Sequence, residues 1–346
     1  MDKQLTDRQK KIFSIMVDSY VETAEPVGSR TIAKRYHLDL SPATIRNEMS
    51  ELEDAGLVSH PHTSAGRVPT DLGYRYFINY LLQKETISQR LASDISSEFQ
   101  NEMEGLDDLL EKATRILSAV TEQTSIVIYP EMKDLIFSQI SLHRLSENHV
   151  AAVWLSASGL TQNQLIDMRE NVEDEALKKI ANFFNNELAG IPFGEMKQEI
   201  LRRLSERRDS LAHLYHQALQ IAEDSLRKIQ AARLKLEGAF RILEKPEFQN
   251  IAKTRLLFQA LEQKDRLCHL LREDIDDAGI KVHIGRENQW REIWDCSLIT
   301  TNYKWAGQSA GVLGILGPSR MRYGAVMAIV GHISKELSHV LDERYS

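Results

Sequence analysis

The chain of 346 residues has almost no cysteine. Its two thiols, Cys268 and Cys296, make no disulfide framework, which excludes a cross-linked secreted scaffold and fits a reducing, cytoplasmic setting. Long apolar runs are missing as well. None approaches the roughly 20 residues that cross a bilayer, so no membrane partner is expected. The opening MDKQLTDRQKK has no apolar core, so a secretory leader is not expected.

Positive charge is also scarce. The formal net charge is −7, and residues 1–80 hold ten Lys/Arg against eleven Asp/Glu, a net of −1. Composition therefore lacks the basic footprint usual in nucleic-acid-binding domains. Such a surface has to be made by folding, with Lys10, Lys11, Arg30, Lys34, Arg35, Arg46, Arg67 and Arg75 gathered on one face.

Catalytic signatures are equally thin. Neither cysteine lies in a nucleophile motif, and no Ser-His-Asp string is present. Gly314–Arg320 (GILGPSR) lacks the Gly-Lys-Ser/Thr ending of a phosphate loop, so its glycines read as a turn and a close packing site in a sheet. His60 and His62 flank Pro61 without cysteine or acidic partners at ligand spacing. No metal, cofactor or enzymatic role is expected.

What the chain does have lies between Pro26 and Tyr76. Ser41-Pro42 is a strong helix start, with serine as N-cap and proline, its φ already helical, at the first position. Gly56 supplies the stop. Between them Ile45, Met49 and Leu52 follow i, i+4, i+7 spacing and define a buried stripe. Ala43, Asn47 and Ser50 point the opposite way, with Thr44 and Arg46 on the flanks. Small, polar and basic residues are what base edges accept: Arg pairs with guanine, Asn with adenine. The acids Glu48, Glu51, Glu53 and Asp54 come later, and a reading helix enters the groove by its N-terminal residues, so they can tilt away from phosphate.

The neighbours complete a pattern. Thr6-Asp7-Arg8-Gln9 reads as a capping box for a first helix with Ile12, Ile15, Met16 and Tyr20 inward. Ser29–Tyr36 is a short second helix, and His37–Leu40 a tight connection into Ser41. Leu57–His60, the loop 62–66 and Arg67-Val68 form a hairpin with a glycine at its tip, and Thr70 caps a further helix from Asp71 to about Leu82. Three helices followed by a hairpin outline a winged helix-turn-helix. Candidate DNA-contacting residues are Ser29 and Arg30; Ser41, Ala43, Thr44, Arg46, Asn47 and Ser50; His62, Thr63, Ser64, Gly66 and Arg67 in the wing; and Arg75 beyond it.

Length and an apolar content of 42% allow two or three domains with filled cores. Thr86–Gln123 has the spacing of one long amphipathic helix, with Gly105 its weak point. Strands are expected at Ser125–Tyr129, Leu135–Leu145 and Val150–Leu155, then a helix at Glu173–Glu187. Strands resume at Val282–Ile284, Ser297–Thr301, Gly311–Leu316 and Ala325–Val330, before a final helix at Ile333–Leu341. This is an α+β sheet domain interrupted by a long helical insert at 191–272. Within the insert Leu201, Leu204, Leu211, Tyr215, Ala218, Ala222, Ile229, Ala232 and Leu236 hold a heptad-like spacing that Arg208 and Ser225 break. That spacing suits an internal helical hairpin or a subunit interface equally. A short strand or turn is expected at Gly238–Leu243.

Three strings, GSRTIA, LSPATIRNEMSELEDAGLVSHPHTSAGRVPTDLGYRYF and GVLGILGPSRMRYGAV, closely resemble the HrcA family of heat-inducible transcription repressors. The resemblance runs nearly end to end. It implies an α+β multidomain protein: a winged helix-turn-helix (1–85), a GAF-like α+β domain split into 86–190 and 273–346, and an inserted, mainly helical dimerisation domain (191–272). It further implies a cytoplasmic homodimer that represses chaperone operons at an inverted-repeat operator, the CIRCE element, and depends on a GroEL-type chaperonin. It assigns the DNA-contacting elements to Ser41–Ser50 and His62–Arg67, and favours the interface for Leu201, Leu204, Leu211, Tyr215, Ala218, Ala222 and Ile229. An alternative is a repressor whose GAF-like domain senses a small effector.

Overall fold

The computed structural model describes residues 5–36, 40–61, 66–100, 105–131, 133, 135–206, 212–229, 234–275 and 279–345. The N-terminal unit holds α1 (Asp7–Thr23), α2 (Ser29–Arg35), α3 (Pro42–Asp54), the hairpin strands β1 (Val58–Ser59) and β2 (Val68–Pro69), and α4 (Asp71–Tyr76). The expected stripes close its core: Ile12, Met16, Ile32, Ile45, Met49 and Leu52 are buried, joined by Phe13, Val17, Leu57, Val58 and Tyr74. The caps also form as expected. Thr6 and Gln9 make the capping box of α1, and Ser41 Oγ accepts from Thr44 N at 3.1 Å with Pro42 at the first position of α3. Gly56 takes φ +75°, while Gly56 N and Leu57 N donate to Glu53 O and Leu52 O, the two bonds of a Schellman ending. Val27 bridges Arg67 through both backbone groups, adding a third strand segment to the hairpin.

Beyond an irregular segment, 82–88, come α5 (Gln89–Gln100) and α6 (Leu106–Thr121). The single helix expected over 86–123 is thus two helices. Gly105, extended at φ 169°, is the N-cap of α6 and breaks the run there.

β3 (Thr124–Ile128), β7 (Leu234–Glu237), β8 (Ile280–Ile284), β9 (Cys296–Trp305) and β10 (Gln308–Pro318) form an antiparallel sheet in the order β7-β3-β10-β9-β8. Alternation along these strands separates two cores. Val127, Ile299, Leu313 and Ile315 face α6 and α12 (Tyr323–Tyr345). Ile126, Ile128, Leu298, Val312 and Leu316 face α10 (Ile251–Glu262) and α11 (Lys264–Arg272). Covering on both faces explains the nearly unbroken apolar runs of β3 and β10. Gly314 and Gly317 sit inside β10 rather than in a turn. A Cβ on Gly314 would lie 2.5 Å from Ile299 O, so the close-packing part of that expectation holds.

The strand expected at Ala325–Val330 is instead the start of α12. Val326, Ile329, Val330, Ile333, Leu337 and Leu341 are buried at helical spacing, and a six-residue apolar run cannot separate the two periods by itself.

A second sheet, β4-β5-β6, is built from β4 (Phe137–Arg144), β5 (His149–Ser156) and β6 (Thr161–Asp167), with α7 (Asp174–Glu187), α8 (Met196–Glu206) and α9 (Ala212–Ile229) following. Helix α7 packs on β4 and α9 on β6. Strand pairing therefore draws the insertion at about 137–229, between β3 and β7, where the sequence spacing places it at 191–272. The register explains the difference: β7 pairs with β3 through Ser125↔Glu237 to Ile128↔Leu234, and α10 and α11 pack on the larger sheet. Strands β6 and β7 escape the sequence pattern. The first is mostly polar, and the second lies where a heptad-like spacing continues to Leu236. Gly238–Leu243 is a loop entering a 3-10 turn.

The described middle of the helical stripe, Ala218 to Ser225, is internal to the subunit. Ala218 and Ala222 are buried, and Ser225, the break in the repeat, accepts a hydrogen bond from Trp154 Nε1 at 3.1 Å. Ala218 and Ala222 are therefore corrected from interface to core residues. Leu204 is half-buried and Leu201 is 41% exposed. Leu211, Arg208 and Ala232 lie outside the described residues, as do the side chains of Tyr215 and Ile229.

Candidate nucleic-acid interface

Burial of Ile45, Met49 and Leu52 against α1 turns the opposite side of α3 to solvent. Ser41, Ala43, Arg46, Asn47 and Ser50 are exposed and Thr44 is half-buried. Ser41 and Thr44 are committed to the cap, their hydroxyls 2.9 Å apart. Among the described residues Arg46, Asn47 and Ser50 have no hydrogen-bond or ion-pair partner, which leaves their polar groups available to a base edge. Ser29 and Arg30 open α2, the latter exposed.

The acids of α3 are drawn into the protein. Arg8 Nη1 donates to Glu48 Oε1 at 3.2 Å, and Gln9 Nε2 to Glu51 Oε2 at 2.7 Å, so both carboxylates face α1. Glu53 takes Arg67 Nε at 3.1 Å and shares a 2.5 Å hydrogen bond with His60 Nδ1. Burial alone would raise the Glu53 carboxyl, but the hydrogen bonds from His60 and Arg67 outweigh it and hold it below its ordinary range. Two of the four late acids, Glu48 and Glu53, are thus charge-paired and a third, Glu51, is turned inward on a neutral amide, so an anionic backbone can approach the N-terminal half of α3.

The cationic face is smaller than the eight residues expected from sequence. Arg35 pairs with Glu22 at 2.8 Å, and Lys10 with Asp7 at 3.5 Å. Arg67 is 11% exposed and braces the hairpin to α3 through Glu53 rather than pointing outward. Arg75 faces the sheet domain, where it meets Glu287 and the carbonyl of Val282. Lys11, Arg30, Lys34 and Arg46 are left without ion pairs among the described residues. Gly66 packs where a Cβ would stand 2.5 Å from Val27 O. His62, Thr63 and Ser64, which the sequence pattern puts in the wing, lie outside the described residues. The partners that sequence reasoning missed, Glu53 for Arg67 and Glu287 for Arg75, are 14 and 212 residues away. The first follows from a hairpin folding back on α3; the second had no local signal.

A helix-turn-helix, a short hairpin behind it and an exposed small-polar-basic helix face define a winged-helix DNA-binding regulator. Comparison with known proteins gives the particular family. Residues 4–81 match the winged helix-turn-helix transcription repressor, HrcA DNA-binding model, and residues 107–327 match the HrcA protein C terminal domain. Heat-inducible transcription repressor HrcA of Desulfitobacterium hafniense is 36% identical over 343 residues, with 99% of each chain covered. That of Brevibacillus brevis is 36% identical over 341 residues, again with 99% of each covered. That of Geobacter sulfurreducens is 36% identical over 338 residues, with 98% of each covered. A crystal structure of a hypothetical protein superposes with a TM-score of 0.67 at 25% identity, covering 99% of this chain and 100% of its own. The chain belongs to the HrcA family, a family of heat-inducible transcription repressors and not of enzymes, and its N-terminal unit is the DNA-binding winged helix.

Proposed function

We propose that this repressor acts in the cytoplasm as a homodimer on the inverted-repeat CIRCE operator of chaperone operons, and that a GroEL-type chaperonin maintains its active state. The observation that carries the reading is the outward face of α3, where Ala43, Arg46, Asn47 and Ser50 are exposed while Glu48, Glu51 and Glu53 are engaged elsewhere. One such helix reads only a few base pairs, and non-specific sites vastly outnumber operators. Two heads on a two-fold dimer read both halves of a palindrome at once, and the tether raises the effective concentration of the second head.

With Ala218 and Ala222 of α9 buried inside the subunit, the open face of the β4-β5-β6 sheet is the better subunit contact. Ala151, Val153 and Leu155 stand on its middle strand, and Leu145 at its rim is 62% exposed. The opposite face is filled by Phe137, Ile140, Ala152, Trp154 and Ile166. The larger sheet we read as the GAF-like domain. Helices fill both of its faces, which favours the chaperonin-dependent repressor over an effector sensor.

Heat diverts chaperonin to other clients, the repressor loses its active fold, and the operons open. A loss of ~1.4 kcal/mol shifts the folded odds tenfold, a large step for domains of roughly 5–15 kcal/mol stability. The test is a gel shift of the purified protein with an inverted-repeat duplex, before and after a heat pulse. Recovery of binding with chaperonin and nucleotide supports the reading. Full operator affinity through the pulse without chaperonin overturns it, and a small molecule that changes affinity without chaperonin favours the effector sensor.

A further inference from the structure

Covalently, the winged helix hangs from the rest of the chain by the irregular, mostly exposed segment 82–88. Such a tether does not fix an orientation. The non-covalent contacts do, and among the described residues hydrogen bonds cross the joint at three places. At the first, Arg75 Nε donates to Glu287 Oε1 at 2.8 Å, while Arg75 Nη2 meets Glu287 Oε2 and the Val282 carbonyl in the middle of β8. Glu287 is held for this by Ile284 N at 2.8 Å. At the second, Asp71 Oδ2 at the start of α4 accepts from Arg286 N at 3.1 Å. Gly285, at φ +50°, presses so close to the Asp71 carboxylate that a Cβ has no room. At the third, Arg320, in the β10–α12 connection, donates from Nη1 to Val21 O near the end of α1 at 2.6 Å and from Nε to Glu247 at 2.5 Å. Between these anchors the rings of Tyr74 and Tyr323 pack with centroids 5.7 Å apart.

These contacts grip α1 and α4, the two helices that flank the reading helix without carrying its exposed face. Arg75 is 28% exposed and Arg320 14%, so both guanidinium groups are spent on the joint. A bidentate, partly buried Arg–carboxylate pair has a defined direction as well as an energy, which makes it suited to setting an angle. We propose that Arg75 and Arg320 are positioning residues: with Glu287, Asp71 and Glu247 they clamp the head at one angle, and so set the spacing between half-sites that the dimer accepts. This rests on the reading of the protein as a dimer on an inverted repeat.

The test uses the full-length chain and three kinds of duplex: the palindromic operator, the same operator with its central spacer lengthened or shortened by one or two base pairs, and a single half-site. Each added base pair turns the second half-site by roughly a tenth of a helical turn, which a rigid head resists and a loose one follows. Wild-type protein is expected to show a sharp spacing optimum. Arg75→Ala, Glu287→Ala and Arg320→Ala are each expected to lose roughly tenfold at the best spacing and to flatten the profile, with half-site affinity unchanged. That unchanged half-site affinity shows that the head is still folded. Glu287→Ala is the decisive variant, because a carboxylate is no phosphate ligand and its loss removes no direct contact to DNA. If Glu287→Ala keeps the wild-type spacing profile, the clamp is overturned. It is overturned equally if only Arg75→Ala weakens half-site binding and lowers the salt slope by about one, as loss of a phosphate contact does. Failure of wild-type protein to bind either a half-site or a palindrome would instead remove the operator reading beneath it.

Discussion

Trp154 Nε1 donates to Ser225 Oγ across 3.1 Å, and both residues are 1% exposed. This bond ties the middle strand of the smaller sheet to α9 and turns the face of α9 that carries Ala218 and Ala222 into the subunit. Ser225→Ala strands a buried indole N–H, at a cost of roughly 1–3 kcal/mol. The expected result is a lower urea midpoint at unchanged slope, with operator affinity of the folded fraction intact. A midpoint equal to wild type would mean that the bond adds nothing.

The proposed subunit contact is testable by charge. Val153→Asp puts a carboxylate in the centre of the open β4-β5-β6 face and should convert dimer to monomer in sedimentation. Leu201→Ser, on the exposed side of α8, should leave the dimer intact. The opposite pattern would return the interface to the helices.

Arg46→Ala should weaken operator binding by roughly 1–3 kcal/mol and relax preference at one base pair if Arg46 reads a base edge. An equal loss on every sequence would make it a backbone contact. Arg67→Ala and Glu53→Ala should behave alike, because each removes one half of the same brace between hairpin and α3. A loss confined to Arg67→Ala would mean that the guanidinium leaves Glu53 to meet phosphate.

One stability term should depend on pH near neutrality. His283 Nε2 lies 3.0 Å from Asp274 Oδ2, and Asp274 Oδ2 accepts from Thr300 Oγ1 at 2.7 Å. The hydrogen bond to Asp274 raises the imidazole pKa, against the opposing effect of burial; Glu287 adds to the rise and Arg75 opposes it. A raised folded pKa means that the charged form is the stabilised one. Its contribution is full below about 6.5, the unfolded value, and is lost as pH rises through the higher folded pKa. Denaturation midpoints measured across this window should fall with rising pH in wild type and flatten in His283→Gln. Equal slopes for the two would exclude His283 as the source.

The winged helix was legible in the sequence because its signals are local. Ser41-Pro42 and Gly56 bound α3 by backbone chemistry that needs no distant partner, and Ile45, Met49 and Leu52 name its inner face at helical spacing. The long strands could be read for the same reason. Less legible were elements whose identity depends on what covers them. Ala325–Val330 has an apolar run that suits either period, and only its continuation into Ile333 and Leu337 against β9 makes it helix. β6 is mostly polar and is a strand because β5 lies beside it. Ala218 and Ala222 fit a seam or a core equally well, and Trp154, more than sixty residues earlier, decides for the core.

The sequence by itself determined the reading helix, its caps, its outward residues and the family, since each depends on residues within a turn or two of one another or on an extended string. Tertiary structure alone decided which charges remain for DNA. Arg67 and Arg75 look alike in sequence to Arg30 and Arg46, yet the first two are consumed by Glu53 and Glu287 while the others face solvent. The physical reason is that a salt bridge is a statement about distance in space, and the Arg75–Glu287 pair closes over 212 residues of chain that no local pattern spans.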